Sequence, residues 1–353
     1  MTGPHVLVAR MDSMGDVLLA GPAVRAVAAG AARVTLLCGP RGRAAAELLP
    51  GVDEVVCFSA AWIDPEPGPV ARRDVLDLVA RVEALRVEEA AILTSFHQSA
   101  LPLALLLRMA GVGRIAAISE DYPGSLLDVR HRVPDHLHEV ERGLSVVKTL
   151  GYSLPAGDDG RLAVRAAAGP PPAALAGPVA TEPYVVVHPG ASVPARAWSP
   201  AKNRDLVASL SAAGRVVVTG GPDEVGLTAF VAGGRRNVVD LGGRLDLPQL
   251  AAVLAGAVAV VTGNTGPAHL AAAVGTPVVS LFAPTVAPAA WRPWGVRHVL
   301  LGGLDIGCAG CRARVCPVPN HPCIDRITVP EVVRAIDKVV AHPAAAGRQG
   351  VVV

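Results

Sequence analysis

Residues 262–282, TGNTGPAHLAAAVGTPVVSLF, connect an apolar segment to a glycine-rich turn, a helix of small residues and a second apolar segment. Thr265 is a favourable helix N-cap, and Gly263 and Gly266 let the backbone approach a ligand closely. Free N–H groups and the positive end of the helix dipole meet at such a helix start. The segment therefore predicts an anion site with His269 one turn into the helix, although an ordinary strand–turn–helix connection has the same pattern.

The same alternation of short apolar segments and helical patterns continues along the 353-residue chain. In the first half we expect strands at 5–10, 33–37, 54–58, 90–94 and 114–118, and helices at 17–29, 43–48, 73–85, 100–110 and 136–150. In the second half we expect strands at 184–188, 215–219, 238–241, 258–262 and 277–281, and helices at 201–213, 224–232, 247–255, 266–274 and 330–341. Strands that alternate with helices predict parallel sheets with right-handed crossovers.

This pattern predicts an α/β protein of two Rossmann-like domains, with parallel sheets that face each other across an interdomain cleft. The N-terminal domain is expected at 1–154 and the C-terminal domain at 184–341. Residues 155–183 between them are rich in Pro, Gly and Ala, which predicts a linker. Residues 342–353 predict a flexible tail.

Composition limits the class of function. The 32 basic and 30 acidic residues leave a net charge of +2, which argues against a nucleic-acid-binding protein because such a protein needs a basic surface. No uninterrupted apolar run reaches the roughly 18–20 residues of a membrane span, and the N-terminus lacks the pattern of a signal peptide. We therefore expect a cytoplasmic protein whose six cysteines are reduced unless they hold a metal.

A second turn of chemical interest is ARMDSMGD, residues 9–16. The first strand is expected to end near Arg10, and Asp16 begins the helix that follows. A carboxylate at a helix N-terminus is stabilised as the anion, so Asp16 is a candidate base. The alternatives are that Asp16 only caps the helix, or that Asp12 in the same loop is the functional carboxylate.

Two further turns follow strands of the second half. In HPGASVPARAW, residues 188–198, the Ser192 hydroxyl, backbone N–H groups and the Arg196 guanidinium would together suit a phosphate. In VTGGPDE, residues 218–224, Glu224 could accept hydrogen bonds from ribose or sugar hydroxyls. Taken alone, Arg196 is more simply explained as a surface charge and Glu224 as a partner of its own helix dipole.

Three ordered segments together resemble glycosyltransferase family 9, the family of lipopolysaccharide ADP-heptose heptosyltransferases. The segments are RMDSMGDVLLAGPAVRA, VVVHPGASVPARAWSP and GNTGPAHLAAAVGTPVVSLFAPT. The resemblance spans nearly the whole chain, and the segments stand in the family's order and at its separations. The resemblance implies a GT-B fold with an acceptor-binding N-terminal domain and a nucleotide-sugar-binding C-terminal domain, and it implies inversion at the anomeric carbon.

The resemblance also implies roles for individual residues. Asp16 matches the catalytic base, which takes the proton from an attacking acceptor hydroxyl. Arg196 and the Thr265–Gly266 turn would hold the donor diphosphate, and Leu245 would pack on adenine. The full set that matches donor-binding positions is Ser192, Arg196, Glu224, Leu245, Asn264, Thr265, Gly266 and His269.

On the acceptor side we expect Arg10, and His97 in the loop after the strand at 90–94, with an ordinary loop histidine as the alternative. The expected donor is a nucleotide-diphosphate sugar, most simply ADP-heptose, and no cofactor is required. The acceptor would be a glycan, a glycolipid or a small molecule. Peripheral contact with a membrane is compatible with this reading, and the sequence predicts no oligomeric state.

Two residues depart from the family's pattern. Members commonly have Asp at the position of Asn264, so the donor sugar could differ if that carboxylate bonds a sugar hydroxyl. Arg196 stands where members usually have Lys, which keeps the charge and changes its geometry.

A cysteine-rich segment, CAGCRARVCPVPNHPC, precedes the last helix. Its thiols are Cys308, Cys311, Cys316 and Cys323. Four soft ligands in a short loop could close a tetrahedral zinc site, but the second pair lacks the short spacing of a typical zinc ribbon. A structural loop of thiols is therefore preferred over a metal site. Cys38 and Cys57 are expected to be inert residues of the first half.

The leading hypothesis is a metal-independent inverting glycosyltransferase. A nucleotide-sugar 2-epimerase-like enzyme shares the expected architecture and would act without an acceptor. A non-catalytic protein that binds nucleotide sugars is the third alternative, and Asp16 argues against it.

Overall fold

The computed structural model describes residues 3–165 and 182–341, together with the backbone of Val351–Val352. The chain divides into two compact units, Met1–Arg165 and Ala166–Val353. Each unit is an α/β structure built on one parallel sheet, which confirms the predicted fold class. The interdomain cleft stays a prediction.

The first unit has a six-stranded parallel sheet in the order β3-β2-β1-β4-β5-β6. The strands are β1 (His5–Arg10), β2 (Arg33–Cys38), β3 (Glu54–Cys57), β4 (Glu89–Ile92), β5 (Arg114–Ile118) and β6 (Val129–His131). The helices are α1 (Met14–Leu19), α2 (Gly21–Ala28), α3 (Arg43–Leu48), α4 (Arg72–Leu85), α5 (Leu101–Met109) and α6 (Glu139–Thr149). This strand order is that of a Rossmann fold, in which the direction of winding reverses between β1 and β4.

Strand β1 lies inside this sheet and pairs with β2 and β4. Its residues Val6, Leu7 and Val8 are fully buried. Helices cover both faces of a doubly wound sheet, so an inner strand needs a continuous apolar run rather than an alternating one. The sequence HVLVAR satisfies that requirement until Arg10, the charged residue with which the strand ends.

The single helix expected at 17–29 is two helices, α1 and α2, which meet at Ala20. Pro22 has no N–H, so it cannot donate to the carbonyl four residues earlier, and the helix is interrupted there. Helix α1 begins three residues earlier than expected, at Met14. Asp16 therefore lies within the first turn of a short, separate helix.

The second unit has a parallel sheet in the order β13-β12-β11-β10-β7-β8-β9. The strands are β7 (Tyr184–His188), β8 (Arg215–Val218), β9 (Val238–Asp240), β10 (Ala259–Gly263), β11 (Val278–Leu281), β12 (His298–Leu301) and β13 (Val351–Val352). The helices are α7 (Pro200–Ala213), α8 (Val225–Ala232), α9 (Leu247–Ala255), α10 (Gly266–Ala273), α11 (Pro288–Trp291), α12 (Pro322–Asp325) and α13 (Val329–Val340). The winding reverses here between β7 and β10.

Sequence reasoning missed the strands β6, β12 and β13 and the four-residue helices α11 and α12. Strand β6 has only three residues and the two helices only four, which is too few to show a hydrophobic period. Short elements of this kind are stabilised by strand pairing or by packing against the rest of the unit.

Part of the predicted linker packs on the first unit. Leu162 is buried, and Arg25 donates two hydrogen bonds to the carboxylate of Asp158, at 2.7 and 2.9 Å. Residues 166–181 of the linker and 342–350 of the predicted tail lie outside the described residues. Within the described part of the chain, no helix is long and apolar enough to cross a membrane.

Candidate active site

In the first unit, the candidate site lies where the winding of the sheet reverses. Strands β1 and β4 are neighbours, and Arg10 is the last residue of β1. Loops that leave neighbouring parallel strands in opposite directions open a crevice at the carboxyl edge, which is where open α/β sheets bind ligands. Asp12 lies in the loop after β1 and Asp16 in the first turn of α1, and the loop after β4 carries Ser95 and His97.

Arg10 is the centre of a buried charge cluster. Its side chain is 4% exposed and forms ion pairs with Asp12 (Nε–Oδ2, 2.8 Å), Asp16 (Nη2–Oδ1, 3.1 Å) and Glu139 (Nη1–Oε2, 2.9 Å). It also donates a hydrogen bond from Nη2 to the Ser95 hydroxyl at 2.8 Å. Burial by itself would lower the pKa of Arg10, but the three carboxylates together raise it, so the guanidinium stays charged. The structure places Arg10 as a buried partner of the candidate base, and its acceptor-side role stays a prediction.

Asp16 lies in the first turn of α1, where the helix dipole favours a negative charge. Its Oδ2 accepts a hydrogen bond from the Ser13 hydroxyl at 2.7 Å, and its Oδ1 faces the Arg10 guanidinium. These two donors help to fix the orientation of the carboxylate. Its side chain is 18% exposed, so a substrate can reach the carboxylate although Arg10 binds it from the buried side. The role of Asp16 as the base stays a prediction.

Asp12, the competing carboxylate, has a different environment. Its side chain is 11% exposed, lies against Arg10 Nε and accepts a hydrogen bond from the Gln98 amide. Burial raises the pKa of Asp12 to about 6, although the Arg10 charge acts in the opposite direction. Asp12 is less exposed than Asp16, at 11% against 18%, so Asp12 is the weaker candidate for contact with a substrate.

Sequence reasoning did not single out Glu139, which begins α6. Its carboxylate is 1% exposed and bridges Arg10 and Arg142, with a distance of 3.2 Å to Arg142 Nε. Two arginines and three carboxylates thus share this buried cluster. A carboxylate at a helix start is a weak signal on its own, and only the fold brings it next to β1. His97 is exposed and stacks edge-on with Phe96 at 5.3 Å between ring centroids.

In the second unit, the corresponding edge holds the turn that follows β10. Strands β10 and β7 are neighbours, so the loops after Gly263 and His188 lie at the same edge of the sheet. Thr265 has the extended backbone of an N-cap, and α10 begins at Gly266. A Cβ on Gly263 would lie 2.8 Å from the carbonyl oxygen of Arg196, so this close approach requires glycine. The two predicted diphosphate-binding segments are therefore in direct contact.

Arg196 lies in a short 3₁₀ turn, Pro194–Arg196, and donates a hydrogen bond from Nε to the Thr285 hydroxyl at 3.2 Å. Thr285 follows β11 and is 3% exposed. This contact orients the guanidinium at the same strand edge as the start of α10. Ser192, in the same loop, is exposed.

Glu224 covers the loop after β7. Its carboxylate lies so close to Gly190 that a Cβ there would be 1.8 Å from Oε1, and its Oε2 accepts the Gly221 N–H at 2.7 Å. The buried His188 contacts the Thr219 hydroxyl at 3.0 Å and lies 3.8 Å from Glu224 Oε2. Burial lowers the pKa of His188, although Glu224 acts in the opposite direction, so the imidazole is neutral near pH 7.

The remaining predicted donor residues occupy defined positions. Leu245 is half-buried and precedes Asp246, the N-cap of α9. His269 is 5% exposed within α10. Asn264 is 6% exposed, and its amide bonds the backbone of Ala283 rather than facing outward. The donor-binding roles of these residues stay predictions.

The cysteine-rich segment packs against the loops that hold Arg196. The Ala195 carbonyl accepts a hydrogen bond from His321 Nε2 at 3.0 Å, and the Ala195 N–H donates to the Arg314 carbonyl at 2.9 Å. Among the described residues, no group of three His, Cys, Asp or Glu side chains is arranged to hold a metal ion. The alternative of a four-cysteine metal site thus gains no support from this geometry.

The thiols of this segment differ in accessibility, and we expect their reactivity to follow. Cys311 is exposed, whereas burial and the neighbouring thiols raise the pKa of the buried Cys323 to about 11. Burial likewise raises the pKa of Cys38 to about 12. At about pH 8 we expect iodoacetamide to modify Cys311 first in the native protein, with Cys38 and Cys323 reacting only after unfolding. Peptide mass mapping measures this order, with the guanidinium-unfolded protein as the control; equal rates for Cys311 and Cys323 in the native protein would contradict it.

The sequence model of the protein family described as glycosyltransferase family 9 (heptosyltransferase) matches residues 83–321. The chain belongs to glycosyltransferase family 9. This range includes the loop after β4 and every predicted donor-binding residue, and it ends before α12. Asp16 lies outside the matched range.

Individual relatives agree with this membership. Lipopolysaccharide heptosyltransferase 3 of Escherichia coli is 38% identical over 116 residues, which are 31% of this chain and 34% of that protein. Lipopolysaccharide heptosyltransferase 1 of Pseudomonas aeruginosa is 33% identical over 229 residues, or 62% of this chain and 61% of that protein. The match thus spans about a third of the length of the first relative and less than two thirds of the second.

A solved structure shows the same fold. The Escherichia coli ADP-heptose lipopolysaccharide heptosyltransferase II has a TM-score of 0.73 and 18% sequence identity, with 96% of this chain and 98% of that chain covered. The family-9 chain described here therefore has a GT-B fold.

Proposed function

We propose that this family-9 protein is an inverting glycosyltransferase that moves heptose from ADP-heptose onto an acceptor hydroxyl. Membership of a heptosyltransferase family supports the reaction class. The name of the structural relative, an ADP-heptose heptosyltransferase, supports the donor. The relatives named lipopolysaccharide heptosyltransferases support a glycolipid as acceptor, with a glycan or a small molecule as the alternatives.

The observation that carries the proposal is the contact between the α10 turn and the Arg196 segment. A diphosphate that leaves the anomeric carbon gains negative charge, and that charge must be stabilised as the bond breaks. Pro267 has no N–H, and the Ala268 N–H donates to the Thr265 carbonyl. The start of α10 therefore offers the Gly266 N–H and a positive dipole end, and Arg196 offers a guanidinium fixed by Thr285. Both groups are in place before the substrate binds, so little reorganisation is needed.

Asp16 would act on the acceptor, as the base that takes the proton from its hydroxyl. A neutral alcohol is a weak nucleophile, so a base must accept its proton as the new glycosidic bond forms. The Asp16 carboxylate is oriented by Ser13 and Arg10 and is partly exposed. Direct displacement by the alcohol, with departure of the nucleoside diphosphate on the opposite face, gives inversion.

Glu224 and Leu245 complete the proposed donor site. Glu224 has one oxygen committed to the Gly221 N–H, and the other would accept a hydrogen bond from a ribose hydroxyl. Leu245 would contact the adenine ring. Both lie in loops at the carboxyl edge of the second sheet, after β8 and β9, and the Gly243 N–H joins those two loops by donating to the Gly220 carbonyl at 2.9 Å.

A panel of nucleotides tests the proposal. We expect ADP and ADP-heptose to raise the midpoint of thermal unfolding by several degrees, because a ligand at about 100 times its Kd stabilises a protein by about 2.7 kcal/mol. GDP, UDP and dTDP with their sugars are the matched controls and should shift the midpoint less. No shift with any of these compounds would overturn the proposed function.

Consumption of the donor separates the alternatives. The proposed transfer requires an added acceptor, whereas a 2-epimerase-like enzyme would convert its donor without one. Binding without conversion, under any tested acceptor, would favour a non-catalytic protein. Chromatography of ADP release with and without a lipid-linked glycan acceptor distinguishes the three outcomes.

A further inference from the structure

Asn264 stands between β10 and the N-cap of α10, and its side chain is directed into the protein. Its Nδ2 donates a hydrogen bond to the Ala283 carbonyl at 3.2 Å, and its Oδ1 accepts one from the Ala283 N–H at 3.3 Å. Asn264 is 6% exposed and Ala283 is fully buried. A single side chain thus joins the loop after β10 to the chain that follows β11.

This pair of hydrogen bonds requires an amide. A carboxylate at position 264 would accept from the Ala283 N–H but would set a second negative oxygen against the Ala283 carbonyl. In a buried position, that repulsion and the lost donor both carry a cost. Asn is therefore the residue that satisfies both backbone groups of Ala283.

The segment that Asn264 holds leads directly to Arg196. Thr285 follows Ala283 by two residues and accepts the hydrogen bond from Arg196 Nε. The same segment is supported from the other side, where the Gly310 and Arg312 N–H groups donate to the Pro284 and Thr285 carbonyls at 2.7 and 2.9 Å. The α10 turn, residues 283–285 and Arg196 thus form one connected unit.

We infer that Asn264 is a positioning residue, which fixes the α10 turn relative to Arg196 through Ala283, and that it does not read the donor sugar. This inference rests on the proposed function, since it assigns the α10 turn and Arg196 to the donor diphosphate. It also explains why position 264 has Asn where family members commonly have Asp. The amide is needed for the backbone contact with Ala283, so the difference does not require a different donor sugar.

The two roles for position 264 make different predictions for Asn264→Asp. A positioning residue acts on the diphosphate, so ADP and ADP-heptose should both bind about tenfold more weakly and the ratio of their affinities should stay constant. A sugar-reading residue would change the affinity for ADP-heptose and leave that for ADP within twofold. Isothermal calorimetry with the two ligands separates the cases.

The pH dependence gives a second signature. A protonated carboxyl can again donate to the Ala283 carbonyl, so the affinity of the Asn264→Asp protein for ADP should approach that of the wild type as pH falls from 8 towards 5.5. Asn264→Ala removes both hydrogen bonds and should bind ADP weakly at every pH. A constant ratio to wild type across this range, for the Asp variant, would contradict the inference.

Asn237→Asp is the matched control. Asn237 also donates from Nδ2 to a backbone carbonyl, that of Ser211 at 3.1 Å, but it precedes β9 and lies at the opposite edge of the same sheet. The same chemical change there should leave the affinity for ADP within twofold. A similar loss in both Asp variants would reveal a general loss of stability and would overturn the specific role.

Hydrogen exchange tests the contact without any ligand. In Asn264→Asp, peptides that contain residues 263–266 and 283–285 should exchange faster than in the wild type, and peptides from β9 should not. Unchanged exchange in a folded variant overturns the inference. If the wild type binds no nucleotide while the exchange result holds, the proposed function fails and the role of Asn264 is reduced to holding the two loops together.

Discussion

Asp16→Asn is expected to lower the rate of sugar transfer by about 10²–10⁴-fold, the usual contribution of a general base. The asparagine oxygen can still accept from Arg10, and its amide can donate to the Ser13 hydroxyl, so the fold of the loop is kept. ADP binding should stay within twofold of the wild type, because the proposed donor residues belong to the second unit. Initial rates of ADP release, measured with saturating donor and acceptor, give the change in kcat.

Asp12→Asn is the matched control for that experiment. Asp12 lies four residues before Asp16 and pairs with the same arginine, but its side chain is less exposed, at 11% against 18%. We expect this variant to retain a substantially larger share of the transfer rate than Asp16→Asn. The reverse order would identify Asp12 as the base, and an unchanged rate in both variants would remove the proposed mechanism.

Arg10→Met is expected to destabilise the protein by about 3–5 kcal/mol, the usual result of removing one partner from a buried ion pair. The substitution keeps the apolar stem and removes the charge that Asp12, Asp16 and Glu139 share. Arg33→Met is the control, because Arg33 pairs with Glu54 but is 50% exposed, and its loss should cost less than about 1 kcal/mol. Urea unfolding followed by circular dichroism measures both values.

The loss of folding stability in Arg10→Met should be larger at higher pH. The pKa of Asp12 is already raised by burial to about 6, above its ordinary value, and the Arg10 charge is what limits that rise. Without Arg10 the folded-state pKa rises further. A carboxyl whose pKa is higher in the folded than in the unfolded protein favours folding at low pH, and that contribution is lost as pH rises through the folded-state value. We therefore expect the variant to be closer to the wild type near pH 5 than near pH 8; an equal loss at both values would contradict the assignment of charge to this cluster.

The sequence was sufficient to predict the alternation of strands and helices, because a continuous apolar run such as residues 6–9 and a periodic helix such as residues 73–85 are both local patterns. It predicted Asp16 and the α10 turn for the same reason, since a helix start is visible in a few consecutive residues. Pro22 was also a local signal for the break between α1 and α2, but we expected one continuous helix there. The two short strands β6 and β12 had no such local pattern.

The tertiary structure alone decided which side chains meet. Glu139 lies 129 residues from Arg10, and Ala283 lies 19 residues from Asn264, so neither contact has a signature in the neighbouring sequence. The order of the strands creates both contacts, because it sets the loops of distant segments side by side at the carboxyl edge of each sheet. Chain segments whose hydrogen-bonding groups are satisfied locally can be predicted from local sequence. The partners of a buried guanidinium or a buried amide are supplied by whichever strands the fold makes neighbours, and at Asn264 those partners are the two backbone groups of Ala283.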